Sequence, residues 1–220
     1  MRKKSNLDDR MQECGDLLLA TEGKFTNALE FIKNKEYINY QEVFHNDNPV
    51  CLDVGCGLGG FAVEFAKKNP NINLIALEMF SNVIIGAIDK AKEAKLPNLK
   101  FLNIRCECLE KYIKDNTIDT IYLNFSNPLH NNGDAKQRLT NKRFLNIYRK
   151  LLKESGVIIQ KTDDRDFFEY SLQSYKDNGF TILSECWDLK ALKDSSNIIT
   201  EHEQKYMNAG KTIYRVIARP

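Results

Sequence analysis

The sequence predicts an α/β fold in which a mainly parallel sheet of seven strands carries helices on both faces. Short apolar runs alternate with longer segments of helical periodicity along most of the 220 residues, which is the pattern of consecutive β-α-β units. The chain is long enough to bury one such domain, and internal repeats and Pro/Gly-rich linkers are absent from its sequence. A hydrophobic fraction of 42% and a charged fraction of 28% are ordinary for a globular protein.

The predicted elements follow one another in the order that β-α-β units require. Strands are predicted at Val50–Val54, Leu74–Glu78, Leu99–Ile104, Ile118–Phe125, Gly156–Lys161, Thr181–Asp188 and Thr212–Ala218. Helices are predicted at Gly60–Lys68, Ser81–Ala94, Asn141–Leu152 and Asp164–Asn178. Ligands of such sheets bind at the carboxyl ends of the strands, where the chain order reverses. Functional residues are therefore expected directly after strands.

The first 45 residues precede this pattern. Residues 1–45 are predicted to form an N-terminal basic arm and a capping helix, and residues 46–220 the α/β domain. The arm starts with Arg2, Lys3 and Lys4, and apolar residues from Leu17 to Phe31 could form the helix. The net charge of the whole chain is only +2, so any case for a nucleic acid partner depends on local clusters.

The cysteines and the apolar segments exclude several classes of protein. None of the six cysteines belongs to a CxxC pair or to a Cys/His set with zinc-ligand spacing, so no metal site is predicted. The start of the chain has no signal-peptide pattern, and no segment approaches the ~20 apolar residues of a membrane span. These features indicate a cytoplasmic protein that does not enter membranes.

The run DVGCGLGG at residues 53–60 lies between a predicted strand and a predicted helix. Its glycines allow a tight turn and a close approach of the backbone to a ligand. Asp53 could bind a cationic or amino group, and Glu78 could accept both hydroxyls of a ribose. An NAD enzyme would share the glycines and the distal acid, and a tight turn without any ligand is a further alternative.

The acid ahead of the glycines, in a D-V-G-x-G-x-G run, resembles the Rossmann-like class I methyltransferases. That resemblance implies S-adenosylmethionine as the cofactor, held by Asp53, Gly55, Gly57 and Glu78. It also implies an acid near the adenine, for which Glu107 is the candidate. The alternative for Glu107 is an exposed glutamate at a helix start.

Further motifs follow the later strands in a fixed order. They are Asn124-Phe125-Ser126-Asn127-Pro128-Leu129, Arg138-Leu139-Thr140, Gln160-Lys161-Thr162-Asp163, Thr200-Glu201-His202-Glu203-Gln204-Lys205-Tyr206 and Ile213-Tyr214-Arg215. Together they resemble the bacterial tRNA (guanine-N7)-methyltransferase family, which carries N-F-S-D-P-W-P-K-K-R-H, R-R-L-T, K-T-D and T-E-Y-E-x-K-F…I-Y-R. The resemblance extends from Pro49 to Arg215.

This second resemblance implies a substrate and a set of site residues. The substrate would be a guanine of tRNA, at position 46 in the variable loop, methylated at N7 by a monomer or homodimer. Asn127 would lie beside both the cofactor and the reacting base. The guanine pocket would be lined by Asn131, Lys161, Thr162, Asp163, Thr200, Glu201 and Glu203. The alternatives are a helix N-cap followed by first-turn charges at Asp163-Asp164-Arg165, with Asp164 as the N-cap, and a solvated strand edge at Glu201 and Glu203.

The sequence also departs from the family pattern. Asn127 stands where the family has Asp, Leu129 replaces Trp, and residues 130–134 (HNNGD) replace the basic run. The lost charges should weaken contacts with phosphates and flatten their salt dependence. Two other functions stay open: methylation of another RNA base or of an exocyclic amine, and cofactor binding without methyl transfer.

Overall fold

A computed structural model describes residues 6–21 and 32–220, apart from the side chains of Asn132 and Glu201. The described residues form eight strands in one sheet. The strands are β1 (Leu18–Thr21), β2 (Val50–Val54), β3 (Asn73–Leu77), β4 (Leu99–Asn103), β5 (Ile118–Asn124), β6 (Leu152–Thr162), β7 (Thr181–Cys186) and β8 (Tyr214–Arg219). Their order across the sheet is β1-β4-β3-β2-β5-β6-β8-β7.

The sheet is parallel from β1 to β6, and among the described strands only β8 runs in the opposite direction. β8 runs antiparallel to both β6 and β7. The chain proceeds from β2 to β3 and β4 on one side, then returns to place β5 and β6 on the other side. The chain order therefore reverses at β2, and the carboxyl ends of β2 and β5 flank the place where α/β sheets bind ligands.

Helices cover both faces of the sheet. They are α1 (Leu7–Gln12), α2 (Tyr40–Phe44), α3 (Gly60–Lys68), α4 (Ser81–Ala94), α5 (Leu109–Tyr112), α6 (Lys142–Leu151), α7 (Arg165–Asp177), α8 (Leu189–Leu192) and α9 (Glu201–Asn208). Apolar residues of α1, α3 and α4 pack on one face, and those of α5, α6 and α7 pack on the other. No helix in the described part of the chain is both long and apolar enough to span a bilayer.

The α/β fold and the strand and helix order predicted from residue 50 onward are confirmed. The apolar runs were sufficient here because strands buried on both faces are apolar at nearly every position. All five residues of β2 and of β3 are buried. Asp164 is the predicted N-cap of α7, since its Oδ1 accepts a hydrogen bond from the Phe167 amide at 2.8 Å.

The sheet has one strand more than predicted, because residues near Leu17–Leu19 do not form a helix. They form a short 3-10 turn followed by β1, which pairs in parallel with β4. The ion pair between Arg10 of α1 and Asp89 of α4 brings this segment beside β4, where unpaired backbone groups are available. Phe25, Leu29 and Phe31, which were assigned to the same predicted helix, lie outside the described residues.

The strand edge considered for residues 200–203 is also wrong, because these residues begin α9. Thr200 is the N-cap of this helix, and its Oγ1 accepts a hydrogen bond from the Glu203 amide at 2.9 Å. The helix changes the direction of its side chains, so residues 202 and 206 lie one turn apart on one face. This face meets the end of β5.

Candidate active site

The glycine loop connects β2 to α3 and is tied to the end of β3. The amides of Gly55 and Cys56 both donate to the Leu77 carbonyl oxygen at 2.9 Å. Gly57 has a φ of +56°, and a Cβ built there meets no atom within 4 Å. At Gly59 a Cβ would lie 2.6 Å from the Cβ of Ala87. Gly57 thus leaves space for a ligand, and Gly59 lets α3 pack directly on α4.

Two adjoining cavities open at the carboxyl ends of the strands. The glycine-loop cavity has a volume of about 160 Å³, and its walls include Asp53, Gly57, Phe61, Asn124, Thr200 and His202. The strand-end cavity has a volume of about 450 Å³, and its walls include Leu77, Glu78, Ile104, Ser126, Asn127 and Leu139. Gly55 and Phe125 line both cavities. A ligand that fills both cavities therefore passes between these two residues.

Asp53 places an unsatisfied carboxylate in the glycine-loop cavity. Its side chain is 1% exposed, and its Oδ1 accepts a hydrogen bond from the Asn124 amide at 3.4 Å. Within the described residues, Asp53 Oδ2, Asn124 Oδ1 and Ser126 Oγ have no hydrogen-bond partner. Burial raises the pKa of Asp53 to about 7, against the hydrogen bond from Asn124. Because buried polar atoms rarely stay unpaired, these atoms indicate a polar ligand with a positively charged group.

Glu78 follows β3 directly and lines the strand-end cavity. One carboxylate oxygen accepts a hydrogen bond from the Phe80 amide at 2.9 Å. Asn103, at the end of β4, donates to the backbone oxygen of Glu78 at 2.8 Å and accepts from Ser81 Oγ at 2.7 Å. This network fixes Glu78 where a carboxylate can accept two neighbouring hydroxyls of a ribose. Asn103 is not among the site residues predicted from the sequence.

Glu107 has a different partner from the one predicted. Its carboxylate lies 2.6 Å from the guanidinium of Arg143. The wall of the strand-end cavity on this side is formed by Ile104 and Cys106. A contact between Glu107 and an adenine stays a prediction.

The loop after β5 holds an unusual backbone conformation. Phe125 and Leu129 have φ angles of +52° and +49°, which side chains of this size rarely adopt. Between them, Asn127 is exposed, and its Oδ1 accepts a hydrogen bond from the Leu129 amide at 3.2 Å. This bond turns the Oδ1 of Asn127 toward the backbone, so its amide NH₂ group is the part that can donate to a ligand.

Arg138 holds this loop in place. Its Nε donates to the Pro128 carbonyl at 2.9 Å, and its Nη2 donates to the Leu129 carbonyl at 3.0 Å. Its guanidinium carbon lies 4.3 Å from the ring centroid of Tyr170. A planar cation that donates and stacks at the same time positions the loop more firmly than an ammonium could. These contacts explain why an arginine occupies this position of the R-L-T motif.

Lys161 and Glu203, both predicted to contact guanine, form a buried ion pair instead of facing the cavities. The Lys161 Nζ lies 2.6 Å from Glu203 Oε2, and the two side chains are 4% and 2% exposed. Nζ also donates to the Ile198 carbonyl at 2.9 Å and to Asn197 Oδ1 at 3.1 Å. Burial lowers the pKa of Lys161, which Glu203 partly offsets. The pair fastens the segment before α9 to β6, and so it brings Thr200 and His202 to the glycine-loop cavity.

The other predicted substrate residues are distributed around this edge. Thr162 is buried, and its Oγ1 accepts from the Asp164 amide at 3.1 Å. Asp163 pairs with Lys211 at 2.5 Å. Asn131 is exposed ahead of the 3-10 turn Asn132–Gln137, and the side chain of Glu201 lies outside the described part of the chain. Contacts of all these residues with a substrate stay predictions.

Three aromatic residues at the cavity mouth were not identified from the sequence. The ring centroids of Phe125 and His202 are 6.4 Å apart with an interplanar angle of 23°. Those of Phe125 and Tyr206 are 5.8 Å apart, and those of His202 and Tyr206 are 6.2 Å apart. Residues 202 and 206 have the spacing of one helical turn. This spacing predicts the cluster only if residues 200–203 are recognised as the start of a helix.

The sequence is similar to known proteins over most of its length. The profile of a family described as "putative methyltransferase" matches residues 47–216. A tRNA (guanine-N(7)-)-methyltransferase of Streptococcus mutans is 44% identical over 182 residues, which is 82% of this chain and 86% of the relative. A protein of the same name from Bacillus licheniformis is 38% identical over 218 residues, covering 99% and 97% of the two chains.

The fold is also found among solved structures. An antibiotic-related methyltransferase superposes with a TM-score of 0.56 at 17% identity, over 90% of this chain and 96% of the other. At this identity the likeness concerns the fold alone.

Proposed function

The chain belongs to the tRNA (guanine-N7)-methyltransferase family, and we propose on this basis that it transfers the methyl group of S-adenosylmethionine to N7 of a guanine in tRNA. The observation that carries the proposal is the junction of the two cavities at Gly55 and Phe125. Two carboxylates that can accept hydrogen bonds from a cofactor, Asp53 and Glu78, lie on the two sides of this junction. Asn127 and the aromatic cluster lie at its open side.

The residues around the cavities fit this cofactor. Asp53 would hold its amino group, because the buried carboxylate has an oxygen without a partner among the described residues. Glu78 would hold the ribose hydroxyls, and Gly55 and Gly57 would allow the backbone to approach the cofactor closely. When bound, S-adenosylmethionine supplies a methyl group on a positively charged sulfur.

The chemistry of guanine N7 needs little from the protein beyond positioning. N7 carries a lone pair and no proton, so no general base has to act before the attack. Catalysis then comes from holding the two reacting atoms about 3–3.5 Å apart in a partly dehydrated site. The amide of Asn127 can orient the base by donating to guanine O6, which an ionised aspartate cannot do. The replacement of the family aspartate is thus compatible with activity.

The tRNA would be held with fewer phosphate contacts than the family pattern provides. Of the basic residues near the depleted run, Arg138 binds loop carbonyls and Arg143 pairs with Glu107. Lys136 and Lys142 are exposed and are the side chains best placed to contact phosphates. We place the target at position 46, in the variable loop, and the enzyme in the cytoplasm, where its six unpaired thiols stay reduced.

A tRNA transcript with 7-deazaguanine at the target position tests the proposed nucleophile. This base keeps the Watson–Crick edge and O6 but replaces N7 with carbon, so it should bind with nearly unchanged affinity and accept no methyl group. The control transcript carries 7-deazaguanine at another position of the same loop and should be methylated at the normal rate. Methylation of the transcript that lacks the target N7 would mean that another atom is the acceptor.

A further inference from the structure

Lys211 makes two contacts at the mouth of the site. Its ammonium lies 4.5 Å from the ring centroid of Tyr206 and 2.5 Å from a carboxylate oxygen of Asp163. The Lys211 side chain is 51% exposed and that of Asp163 is 15% exposed. An aromatic face and a carboxylate thus hold one cation between them.

The proposed reaction produces a cation of a different kind. A bond forms between N7 and the methyl carbon, the bond from carbon to sulfur breaks, and its electron pair stays on sulfur. The positive charge therefore moves from the cofactor to the base. N7-methylguanine is a planar cation with N1–H and N2–H₂ donors on one edge, so a carboxylate and an aromatic face are the groups that recognise it.

The position of these two groups agrees with this chemistry. Tyr206 lies 5.8 Å from Phe125, ring centroid to centroid, and Phe125 lines both cavities at their junction. Asp163 directly follows β6, which pairs with β5 up to Asn124. Both groups therefore adjoin elements that reach the cavity junction: Tyr206 lies beside Phe125, and Asp163 follows the strand that pairs with β5.

Asp163 is one of the residues that the family resemblance already implies for the guanine pocket. We propose that Tyr206 supplies the aromatic face of this subsite, and that Lys211 occupies the subsite while no RNA is bound. The proposal rests on the proposed function. Because the Lys211 ammonium is half exposed and its ion pair is therefore screened by water, Lys211 can leave and turn to a phosphate of the incoming tRNA. Entry and methylation of the base would thus replace the Lys211 ammonium on the face of Tyr206 with the cationic N7-methylguanine. The displaced Lys211 would then contact a phosphate of the tRNA.

Nucleotide binding tests the subsite directly. N7-methyl-GMP and GMP are titrated into the full chain in the presence of S-adenosylhomocysteine. The unsubstituted protein should prefer N7-methyl-GMP by about tenfold, within the usual range of cation–π interactions. Tyr206→Leu should abolish this preference. Lys211→Met should bind N7-methyl-GMP several-fold more tightly, because no internal cation competes for the site.

Two matched variants control for general effects. Trp187→Leu removes an exposed aromatic ring that packs on Phe168 and Tyr214 outside the cavities, and Lys190→Met removes an exposed charge of α8. Neither should change the preference. With whole tRNA, Lys211→Met should weaken binding and reduce the slope of log affinity against log salt by about one.

The subsite proposal is overturned if Tyr206→Leu keeps the preference, or if Lys211→Met binds N7-methyl-GMP no better than the unsubstituted protein does. Failure of the proposed function gives a different result, namely no methyl transfer to tRNA while the nucleotide preferences stay as expected.

Discussion

Replacing Asp53 with asparagine is expected to weaken S-adenosylmethionine binding by on the order of 100-fold and, at pH 8, to make the cofactor-free protein more stable. The loss of binding follows from removing the one charge that would meet the cofactor amino group. The gain in stability follows from the burial of this carboxylate, which is 1% exposed and has an oxygen without a partner among the described residues. An uncharged amide in its place avoids the cost of a buried charge.

The pH dependence of this effect has a definite sign. Burial raises the pKa of Asp53 from 3.8 to about 7 in the folded chain, so between about pH 4 and 7 the folded state holds a proton that the unfolded state has lost. The stability of the cofactor-free protein therefore falls through this window as pH rises, and the cost of ionisation is complete above pH 7. Asp53→Asn removes this dependence.

Titration calorimetry measures the affinity for S-adenosylmethionine, and scanning calorimetry of the cofactor-free protein at two pH values measures its stability. At pH 8 the Tm of Asp53→Asn should exceed that of the unsubstituted protein by several degrees, since 1 kcal/mol shifts the Tm of a domain this size by about 2–4 °C. The difference should shrink as pH is lowered toward 4. Unchanged cofactor affinity, or a lower Tm at pH 8, would contradict the role assigned to Asp53.

Glu203→Gln is expected to lower the free energy of unfolding by about 3–5 kcal/mol, because it leaves the Lys161 ammonium buried without its counter-charge. The two side chains are 4% and 2% exposed and 2.6 Å apart. The double variant Lys161→Met with Glu203→Leu should recover most of this stability. It removes both charges and fills the same space with apolar groups.

Urea unfolding of the single and double variants measures the effect. Glu64→Gln is the matched control, because Glu64 pairs with Lys67 on the surface of α3 at 2.8 Å, with both side chains about half exposed. It should change the free energy of unfolding by less than about 1 kcal/mol. A comparably small effect of Glu203→Gln would mean that water reaches the Lys161–Glu203 pair in solution.

The sequence predicts most of this fold because the central strands are apolar at nearly every position and the helices carry start signals. β1 could not be predicted in the same way. Its four residues are only partly buried or exposed, and their strand conformation depends on pairing with β4 and on the contact between α1 and α4. Long-range contacts of this kind leave no local pattern.

The residues of the candidate site also divide into those that local sequence patterns predict and those whose positions depend on long-range contacts. Asp53, Gly55, Gly57, Glu78 and Asn127 are predicted because each lies at the carboxyl end of a strand or within three residues after it, and all five line the cavities. The aromatic cluster was missed because residues 200–203 were considered as a strand edge, although Thr200 and Glu203 have the spacing of a capping box. Lys161 and Glu203 are 42 positions apart in the sequence, so no local spacing of residues predicts their pairing.

Methyl transfer from labelled S-adenosylmethionine to unmodified tRNA tests most directly whether this chain methylates guanine N7 in tRNA. The modified nucleotide is identified after digestion, and its position is mapped along the RNA. The account predicts one N7-methylguanine per tRNA, in the variable loop. Label on another base or on an exocyclic amine would contradict it, as would the absence of any label from a protein that still binds the cofactor.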